Sequence, residues 1–345
     1  MKIGIAGFSG SGKSTVFGWL TGAKPDPAKI QTGQVGMADV PDERLNWLSA
    51  KFNPKKTTPA KIEFLDTPGL LATERRDNPR RLGILRDTGG LLIILNGYSE
   101  TGLAAELRRF REELLFADLE IIANRVKKVE DQLKKPRPAK QRELDQEELA
   151  LLQRIASALE EGRPAAALGL KEDEEKAVRS FQLLTLKPQM ALVNQGDERI
   201  GKPLPADLLA LDPNAIQAPA KLEMELQELS EQDRQAFMHD LGLTGFSRGD
   251  VIRGIYQAMG QSVFFTVGED ECRAWTIPQH ADAVTGAAQI HTDLARGFVR
   301  AEVVGYQDFV RVGSMKEAKA QGVYRLEGKT YIVKDGDIMH ILAST

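Results

Sequence analysis

Residues Lys2-Ile-Gly-Ile-Ala-Gly7-Phe-Ser-Gly-Ser-Gly12-Lys-Ser14 stand near the start of the chain and decide its fold. Residues 2–7 form a short apolar run typical of a buried strand, and the stretch from Ser14 to Leu20 has the apolar spacing of a helix. The eight residues from Gly7 to Ser14 fit the pattern GxxxxGK[ST]. Strand, glycine-rich loop and helix in this order predict the first unit of an α/β fold.

This loop has the composition needed to bind a polyphosphate. Its glycines let backbone N–H groups turn toward a β-phosphate, and the next helix directs the positive end of its dipole there. Lys13 would contact the β- and γ-phosphates, and the Ser14 hydroxyl would bind Mg²⁺. A chance match is the alternative, but the strand–loop–helix order argues against it. We therefore predict a set of nucleotide-binding residues: Ser9, Gly10, Ser11, Gly12, Lys13, Ser14 and Thr15.

Three further apolar runs, residues 61–66, 90–95 and 189–194, read as strands, with helical patterns between them. The run at 90–95 is continuously apolar, as a parallel strand covered on both faces is. Alternating strands and helices predict a parallel, doubly wound sheet.

Asp66-Thr67-Pro68-Gly69 begins at the last residue of the strand predicted at 61–66 and reads DxxG. Asp66 would hold Mg²⁺ through a water molecule, and the Gly69 N–H would meet the γ-phosphate and sense its loss. We predict that Lys13, Asp66 and Gly69 are the catalytic residues. Leu70 follows, where many GTPases place a glutamine that orients water. Because leucine cannot polarise water, we expect slow intrinsic hydrolysis.

The base would be read at Asn194-Gln195-Gly196-Asp197, which ends the last of these strands and resembles the NKxD motif of GTPases. An aspartate here accepts hydrogen bonds from guanine N1 and its amine, which adenine does not offer. Asn194, Gln195 and Asp197 are therefore predicted base-side residues, with Ala220 from the following loop. Thr32, in a polar loop, is the candidate switch threonine that binds Mg²⁺; an ordinary loop threonine is the alternative.

Composition limits the class of protein. The 345 residues are 42% hydrophobic with a net charge of −3 and one cysteine. These values suit two or three domains and exclude an internal disulfide. No apolar run reaches the ~20 residues of a membrane span, and no signal pattern precedes the first strand. We expect a cytoplasmic protein with no membrane partner and no sequence-specific DNA binding.

Two further segments extend the nucleotide-binding domain, which we place at residues 1–105 and 186–260. Apolar residues at helical spacing on either side of a proline-containing break predict an inserted helical hairpin, a coiled coil, at 106–185. Short β-rich runs, including 331–333, a turn signal at Asp335-Gly336 and one or two helices predict a small domain at 262–345. The hairpin tip is basic, which fits either a solvated face or an RNA contact; its basic residues are Lys127, Lys128, Lys134, Lys135, Arg137, Lys140 and Arg142.

With these elements in order, the chain resembles the YchF family of Obg-related P-loop ATPases and GTPases from end to end. The most specific segments are Phe264-Phe-Thr-Val-Gly, Arg273-Ala-Trp-Thr-Ile, Gly297-Phe-Val-Arg-Ala-Glu302 and Asp335-Gly-Asp337. The resemblance implies a nucleotide-binding domain, an inserted coiled coil and a C-terminal TGS domain of ubiquitin-like β-grasp fold. It also implies ribosome association and a role in translation or stress regulation.

The chain departs from the family pattern at several positions, and two of them, Gly10 and Asp197, bear directly on ion and base binding. Gly10 stands where the family P-loop usually has asparagine, which helps hold potassium in relatives that this ion activates. Asp197 stands where the family base motif usually has glutamate, and many members prefer ATP. These differences leave potassium dependence and the choice between ATP and GTP open.

Three functions follow from these patterns. The first is a slow, Mg²⁺-dependent purine nucleoside triphosphatase that acts as a switch on a ribosomal or RNA partner. The second is a nucleotide-gated ribosome- or RNA-binding module with little or no turnover. The third is a small-molecule kinase whose lid would use Arg75, Arg76, Arg80 and Arg81; the NQGD segment and the C-terminal domain argue against it.

Overall fold

The computed structural model describes residues 1–29, 31–73, 75–98, 102–226, 229–240 and 247–344. Its strands, numbered along the chain, are β1 (Lys2–Ala6), β2 (Gln34–Asp39), β3 (Lys56–Thr58), β4 (Lys61–Asp66), β5 (Gly90–Gly97), β6 (Gln189–Gln195), β7 (Ile216–Ala218), β8 (Gln261–Thr266), β9 (Glu271–Pro278), β10 (Phe298–Gly305), β11 (Arg325–Glu327) and β12 (Asp337–Ala343).

Its α-helices, numbered in the same way, are α1 (Lys13–Thr21), α2 (Glu43–Phe52), α3 (Asn78–Arg86), α4 (Leu103–Leu133), α5 (Ala139–Glu160), α6 (Glu172–Val178), α7 (Ala206–Leu211), α8 (Ala220–Leu226), α9 (Glu231–Asp240), α10 (Arg248–Ala258), α11 (Ala283–Ile290), α12 (Thr292–Arg296), α13 (Tyr306–Val312) and α14 (Met315–Ala320).

Contacts divide the chain into two compact units. One comprises Lys2–Gly36 and Phe64–Gly245, and the other comprises Met1, Met37–Glu63 and Phe246–Thr345. Residues 37–63 group with the C-terminal residues because β3 pairs in parallel with β9. Phe52 of α2 also stacks on Phe309 of α13, with 5.6 Å between the ring centroids. The three-domain division read from the sequence stays a prediction.

The first sheet has the strand order β2-β4-β1-β5-β6-β7. β5 pairs in parallel with β1 and with β6, and β6 pairs in parallel with β7. Every residue from 90 to 95 is buried, as expected for a central strand covered on both faces. The predicted doubly wound α/β fold is therefore confirmed.

The inserted hairpin is built from α4 and α5. The first half of α4 packs on the sheet, where Phe110 and Leu114 are fully buried. Its second half forms a separate apolar core with α5, through residues such as Ile122, Val129 and Ile155. The chain turns between the two helices at residues 134–138, where two prolines remove helix-forming N–H groups. The predicted break lies at this position, and coiled-coil winding of the pair stays a prediction.

Asp118 connects α4 to the segment before β6. Its carboxylate is fully buried and accepts hydrogen bonds from the backbone of Leu184 and Thr185, at 3.1 and 2.8 Å, and from the Thr185 hydroxyl at 2.8 Å. Arg86 at the end of α3 completes the set at 2.8 Å. A buried carboxylate with this many donors fixes the position of the hairpin base on its unit.

The second sheet has the strand order β11-β10-β12-β8-β9-β3. The β8–β9 hairpin is antiparallel, while β12 runs parallel to β8 and antiparallel to β10, and α11 packs in the same apolar core. This arrangement is a β-grasp, as the resemblance implied. The run at 331–333 forms only a single bridge, between Ile332 and Asp282, instead of the predicted strand. Within the part of the chain described here, no helix combines the length and apolarity needed to cross a bilayer.

Candidate nucleotide-binding site

The loop between β1 and α1 requires glycine at two of its turns. Gly7 and Gly12 have φ of 142° and 85°, values that other residues rarely adopt. A Cβ on Gly7 would lie 2.5 Å from the carbonyl oxygen of Ile94, and one on Gly12 would lie 2.0 Å from Asn194 Nδ2. The loop is therefore held close to the carboxyl ends of β5 and β6.

Lys13 is a buried cation inside this loop. Its ammonium donates a hydrogen bond to the Phe8 carbonyl at 2.7 Å, and only 7% of the residue is exposed. Burial lowers the pKa of Lys13 from 10.5 to about 8, and the nearby charge of Asp66 partly opposes this effect. A polyphosphate would supply the negative charge that favours the protonated form.

Ser14 and Asp66 form a pair that fits Mg²⁺. The Ser14 hydroxyl donates to Asp66 Oδ2 at 2.7 Å. The second carboxylate oxygen, Oδ1, is buried and has no hydrogen-bond partner among the described residues. Burial raises the pKa of Asp66, while the Ser14 hydroxyl and the charge of Lys13 act in the opposite direction. Hydroxyl and carboxylate oxygens are the hard donors that Mg²⁺ takes when phosphate and water complete its shell.

The DxxG segment is tied to the loop by backbone hydrogen bonds. Leu70 N–H donates to the Gly7 carbonyl at 3.0 Å, and Ser9 N–H donates to the Leu70 carbonyl at 2.9 Å. Gly69 lies so close that an added Cβ would be 2.5 Å from Lys13 Nζ and 2.7 Å from the Ser9 backbone nitrogen. Lys13, Asp66 and Gly69, the predicted catalytic residues, therefore lie together.

Leu70 itself points away from this cluster. Its side chain is 2% exposed and belongs to the apolar core that includes Ala6, Leu82 and Phe110. It therefore offers no polar group to a water molecule, which agrees with the expectation from the sequence.

Thr32 lies in a turn next to the end of β4. Its N–H donates to the Lys29 carbonyl at 3.1 Å, and the residue is exposed. The neighbouring Gly33 is close enough to β4 that an added Cβ would lie 3.3 Å from the carbonyl oxygen of Asp66. The loop thus reaches the Asp66 region, but the role of Thr32 as a Mg²⁺ ligand stays a prediction.

The predicted base-side residues lie at the ends of β6 and β7. Asn194 is buried, and its amide donates to the Ser11 carbonyl at 3.2 Å. Asn194 is in register with Ala218, which brings the loop before the fully buried Ala220 alongside. Gln195 donates to the Arg199 carbonyl at 2.8 Å within its own loop. The Asp197 side chain lies outside the part that the structure describes, as does that of Arg75, and the base contacts stay predictions.

Two charged residues that lie near the phosphate-binding loop were not predicted from the sequence to act there. Glu106, in the first turn of α4, accepts from Asn96 N–H at 3.2 Å, and burial raises its pKa. Arg81 on α3 donates to the Gly69 carbonyl. The available signal for Glu106 was its place just after the carboxyl end of β5, the edge at which ligands bind in such sheets. For Arg81, the sequence had suggested only a role as a lid arginine in the alternative kinase function.

Most basic side chains at the hairpin tip are solvent-exposed. Arg137 is less exposed than the others because it pairs with the buried Asp145 at 2.7 Å. Lys134 is exposed and pairs with Asp131 at 2.9 Å. Exposed lysines such as Lys127, Lys128 and Lys140 leave a basic surface.

The fold and this site define a P-loop nucleotide-binding protein of the GTPase class. The sheet order, the glycine loop closed on Lys13, and the DxxG segment bonded to that loop are the features that define this class. Two family models match the chain: one described as a 50S ribosome-binding GTPase over residues 2–136, and YchF-GTPase_C, described as a protein of unknown function, over residues 262–344.

Similarity to named relatives extends over nearly the whole chain. The ribosome-binding ATPase YchF of Bacillus subtilis (strain 168) is 31% identical over 365 residues, with 99% of this chain and 98% of the relative covered. The protein of the same name from Escherichia coli O157:H7 is 32% identical over 363 residues, with 99% and 98% covered. The chain belongs to the YchF family.

Two solved structures share the fold. The YchF GTPase of Schizosaccharomyces pombe superposes with a TM-score of 0.80 at 24% identity, covering 99% of this chain and 97% of that one. A GTP-binding protein from Pyrococcus horikoshii OT3 superposes with a TM-score of 0.60 at 16% identity, covering 100% of both chains.

Proposed function

We propose that this protein is a magnesium-dependent purine nucleoside triphosphatase that acts as a slow nucleotide switch. The observation that carries the proposal is the cluster at Gly69, where the buried Lys13 ammonium, the Ser14–Asp66 pair and the DxxG backbone meet. Each part has a place in phosphate chemistry: a cation for the β- and γ-phosphates, oxygen donors for a divalent ion and an N–H for the γ-phosphate.

Ser14 and Asp66 are the residues that would hold Mg²⁺, with Thr32 as a further candidate. When bound, the ion neutralises charge on the phosphate oxygens. The chain's own residues bind and orient the rest. Lys13 would exchange the Phe8 carbonyl for phosphate oxygens, and the glycine loop would surround the β-phosphate with N–H groups.

The switch would act through the loops that contact the γ-phosphate. Residues near Thr32 and Gly69 would be ordered by a triphosphate and released after hydrolysis. The curated relatives bear the name ribosome-binding ATPase, and one matching model is described as a ribosome-binding GTPase. We therefore propose a ribosomal or RNA partner in the cytoplasm, with the exposed lysines of the hairpin tip as one contact surface.

The test is a paired titration with fluorescent ATP and GTP in the presence of Mg²⁺. Replacing Lys13 by alanine removes the phosphate cation and should weaken triphosphate affinity by about 10- to 100-fold, since a charge-assisted hydrogen bond contributes about 1.5–3 kcal/mol. Lys24→Ala, at an exposed lysine beyond α1, is the matched control and should bind like the wild type. Wild-type affinity in Lys13→Ala would show that the site is misassigned. The same titration decides between ATP and GTP, which the relatives' names leave open.

A second function, a nucleotide-gated binding module with little turnover, is favoured by one observation. Leu70 is buried, and its apolar side chain has no group that could orient a water molecule. Single-turnover phosphate release, measured alone and with ribosomes, separates the two functions. Bound triphosphate that stays intact in both conditions supports the binding module, whereas slow release supports the switch. Turnover of tens per second by the chain alone contradicts both.

A further inference from the structure

Arg81 reaches from α3 to the DxxG segment. The start of α3 is anchored by Asn78, a buried residue whose side-chain amide bonds both the N–H and the carbonyl of Leu71, at 3.0 and 3.1 Å. From this anchored helix the Arg81 guanidinium donates a hydrogen bond to the carbonyl of Gly69. The position of Arg81 is therefore set by the same loop that would sense the γ-phosphate.

A second cation approaches the same glycine. An added Cβ on Gly69 would lie 2.5 Å from Lys13 Nζ, so the ammonium lies close to the residue whose carbonyl accepts from the Arg81 guanidinium. The charge of Arg81 also lowers the pKa of Lys13, although burial is the larger cause. Two cations held this close repel each other unless an anion lies between or beside them.

Hydrolysis of a triphosphate needs positive charge at this place. The water oxygen forms a bond to the γ-phosphorus while the bond from that phosphorus to the β,γ-bridging oxygen breaks. The products are a nucleoside diphosphate, inorganic phosphate and a proton released to solvent. Negative charge is spread over the γ-phosphoryl and bridging oxygens as this happens, and one arginine placed there raises kcat by roughly 10³–10⁵ in other P-loop proteins.

We propose that Arg81 is a catalytic residue supplied within the chain, which contacts the γ-phosphoryl group of the bound triphosphate and stabilises the charge of its transition state. This inference rests on the proposed triphosphatase function. The exchange of partners is favourable, because a phosphate oxygen is a stronger acceptor for a guanidinium than the Gly69 carbonyl. It also gives the site a polar group where Leu70 offers none.

The experiment compares single-turnover hydrolysis and nucleotide affinity in the full chain. The variants are Arg81→Ala, Arg81→Lys and Arg81→Gln, and the matched control is Arg80→Ala, an exposed arginine one position earlier on α3. Arg81→Ala should slow phosphate release about 100-fold or more. Its affinity for the diphosphate should stay within about threefold, because that ligand lacks the γ-phosphate. Arg81→Lys should lie between Arg81→Ala and the wild type, and Arg80→Ala should match the wild type.

A second readout separates catalysis from a structural role. With diphosphate and aluminium fluoride, which imitate the transition state, Arg81→Ala should lose the tight complex that the wild type forms. Arg81→Gln retains an amide donor for the Gly69 carbonyl without the charge, so it keeps the test available if the alanine variant does not fold.

Several results would overturn the proposal. Hydrolysis by Arg81→Ala within threefold of the wild type removes Arg81 from catalysis but leaves the triphosphatase function intact. Equal losses of diphosphate and fluoride-complex binding show a structural role, and a loss of the same size in Arg80→Ala shows a general charge effect. A wild type that binds triphosphate but never releases phosphate, alone or with ribosomes, refutes the triphosphatase function and the role of Arg81 together.

Discussion

The burial of Lys13 should make triphosphate binding depend on pH in a range where most lysines do not titrate. The ammonium is nearly enclosed, and this loss of solvent lowers its pKa from 10.5 to about 8. Asp66 raises the pKa and Arg81 lowers it, but neither exceeds the effect of burial. Since only the protonated side chain attracts phosphate, affinity must follow the protonated fraction of Lys13 in the free protein.

The size of the effect follows from this pKa. About nine-tenths of Lys13 is protonated at pH 7 and about one-tenth at pH 9, so affinity should fall about tenfold, or about 1.4 kcal/mol, between these values. The direction of this pH dependence follows from the complex, in which the negative charge of the phosphate raises the pKa of Lys13. Above pH 8 the complex therefore holds a proton that the free protein has lost, and binding weakens as pH rises.

The same lowering of the Lys13 pKa makes folding stability rise with pH, whereas it makes triphosphate affinity fall. The unfolded chain keeps its Lys13 proton up to about pH 10.5, whereas the folded free protein releases it near pH 8. Folding stability should therefore rise between pH 8 and 10.5, by up to about 3 kcal/mol from this residue. The lysine proposed to bind phosphate should thus destabilise the free protein at neutral pH.

Fluorescence titration of the triphosphate at pH 7.5, 8, 8.5 and 9 measures the effect, in a range where the γ-phosphate stays ionised. Lys13→Ala should bind weakly with no dependence on pH, so the wild-type and variant affinities should converge as pH rises. A wild-type affinity that is constant over this range, or an equal decline in Lys13→Ala, would refute the buried-ammonium argument.

Two further predictions concern single contacts. Asp118→Asn removes the buried charged partner of Arg86 and should lower the free energy of unfolding, measured by urea titration, by about 3 kcal/mol. The control Asp131→Asn, at an exposed pair with Lys134, should produce no measurable change. Equal effects of the two substitutions would contradict the stabilising role of the buried pair. Gly12→Ala forces a Cβ into Asn194 and should weaken nucleotide binding, measured by the same titration, tenfold or more. The control Gly22→Ala lies at the other end of α1, where φ is 71° and the space around the new Cβ is open, so it should cost about 1 kcal/mol of stability and leave nucleotide binding unchanged. Retained binding in Gly12→Ala would show that the loop adapts to the added methyl group.

The elements that the sequence predicts well are those whose signal is local. The glycine loop after β1, the end of β4 at Asp66 and the hairpin break are each defined by neighbours in the chain, because backbone conformation and helix termination depend on adjacent residues. The central strand β5 was equally clear, since a run buried on both faces needs no pattern beyond continuous apolarity.

Long-range pairing was not readable in this way. β3 pairs with β9, more than 200 residues away, and nothing in Lys56–Thr58 identifies that partner. β12 follows the predicted turn at 335–336, but the run from Asp337 to Ala343 lacks strict alternation and was not assigned. Arg76, Arg80 and Arg81 look alike in the sequence. The fold brings the Arg81 guanidinium to the Gly69 carbonyl through the anchoring of α3, which no local pattern shows.

A nucleotide switch also needs a physical route from the γ-phosphate to a surface that meets a partner. Gly69 is hydrogen-bonded through its carbonyl to Arg81 on α3, and the start of the same helix is held by Asn78. The Asn78 amide also donates to Glu113 on α4 at 3.4 Å. Since α4 is one continuous 31-residue helix with its first half in the sheet core and its second half in the hairpin, movement at Gly69 would reach the hairpin as displacement of a rigid element. The substitution Asn78→Ala would interrupt this route while leaving Lys13, Ser14 and Asp66 in place. We therefore expect a protein that still binds nucleotide but whose hairpin no longer changes position when the nucleotide is bound or hydrolysed.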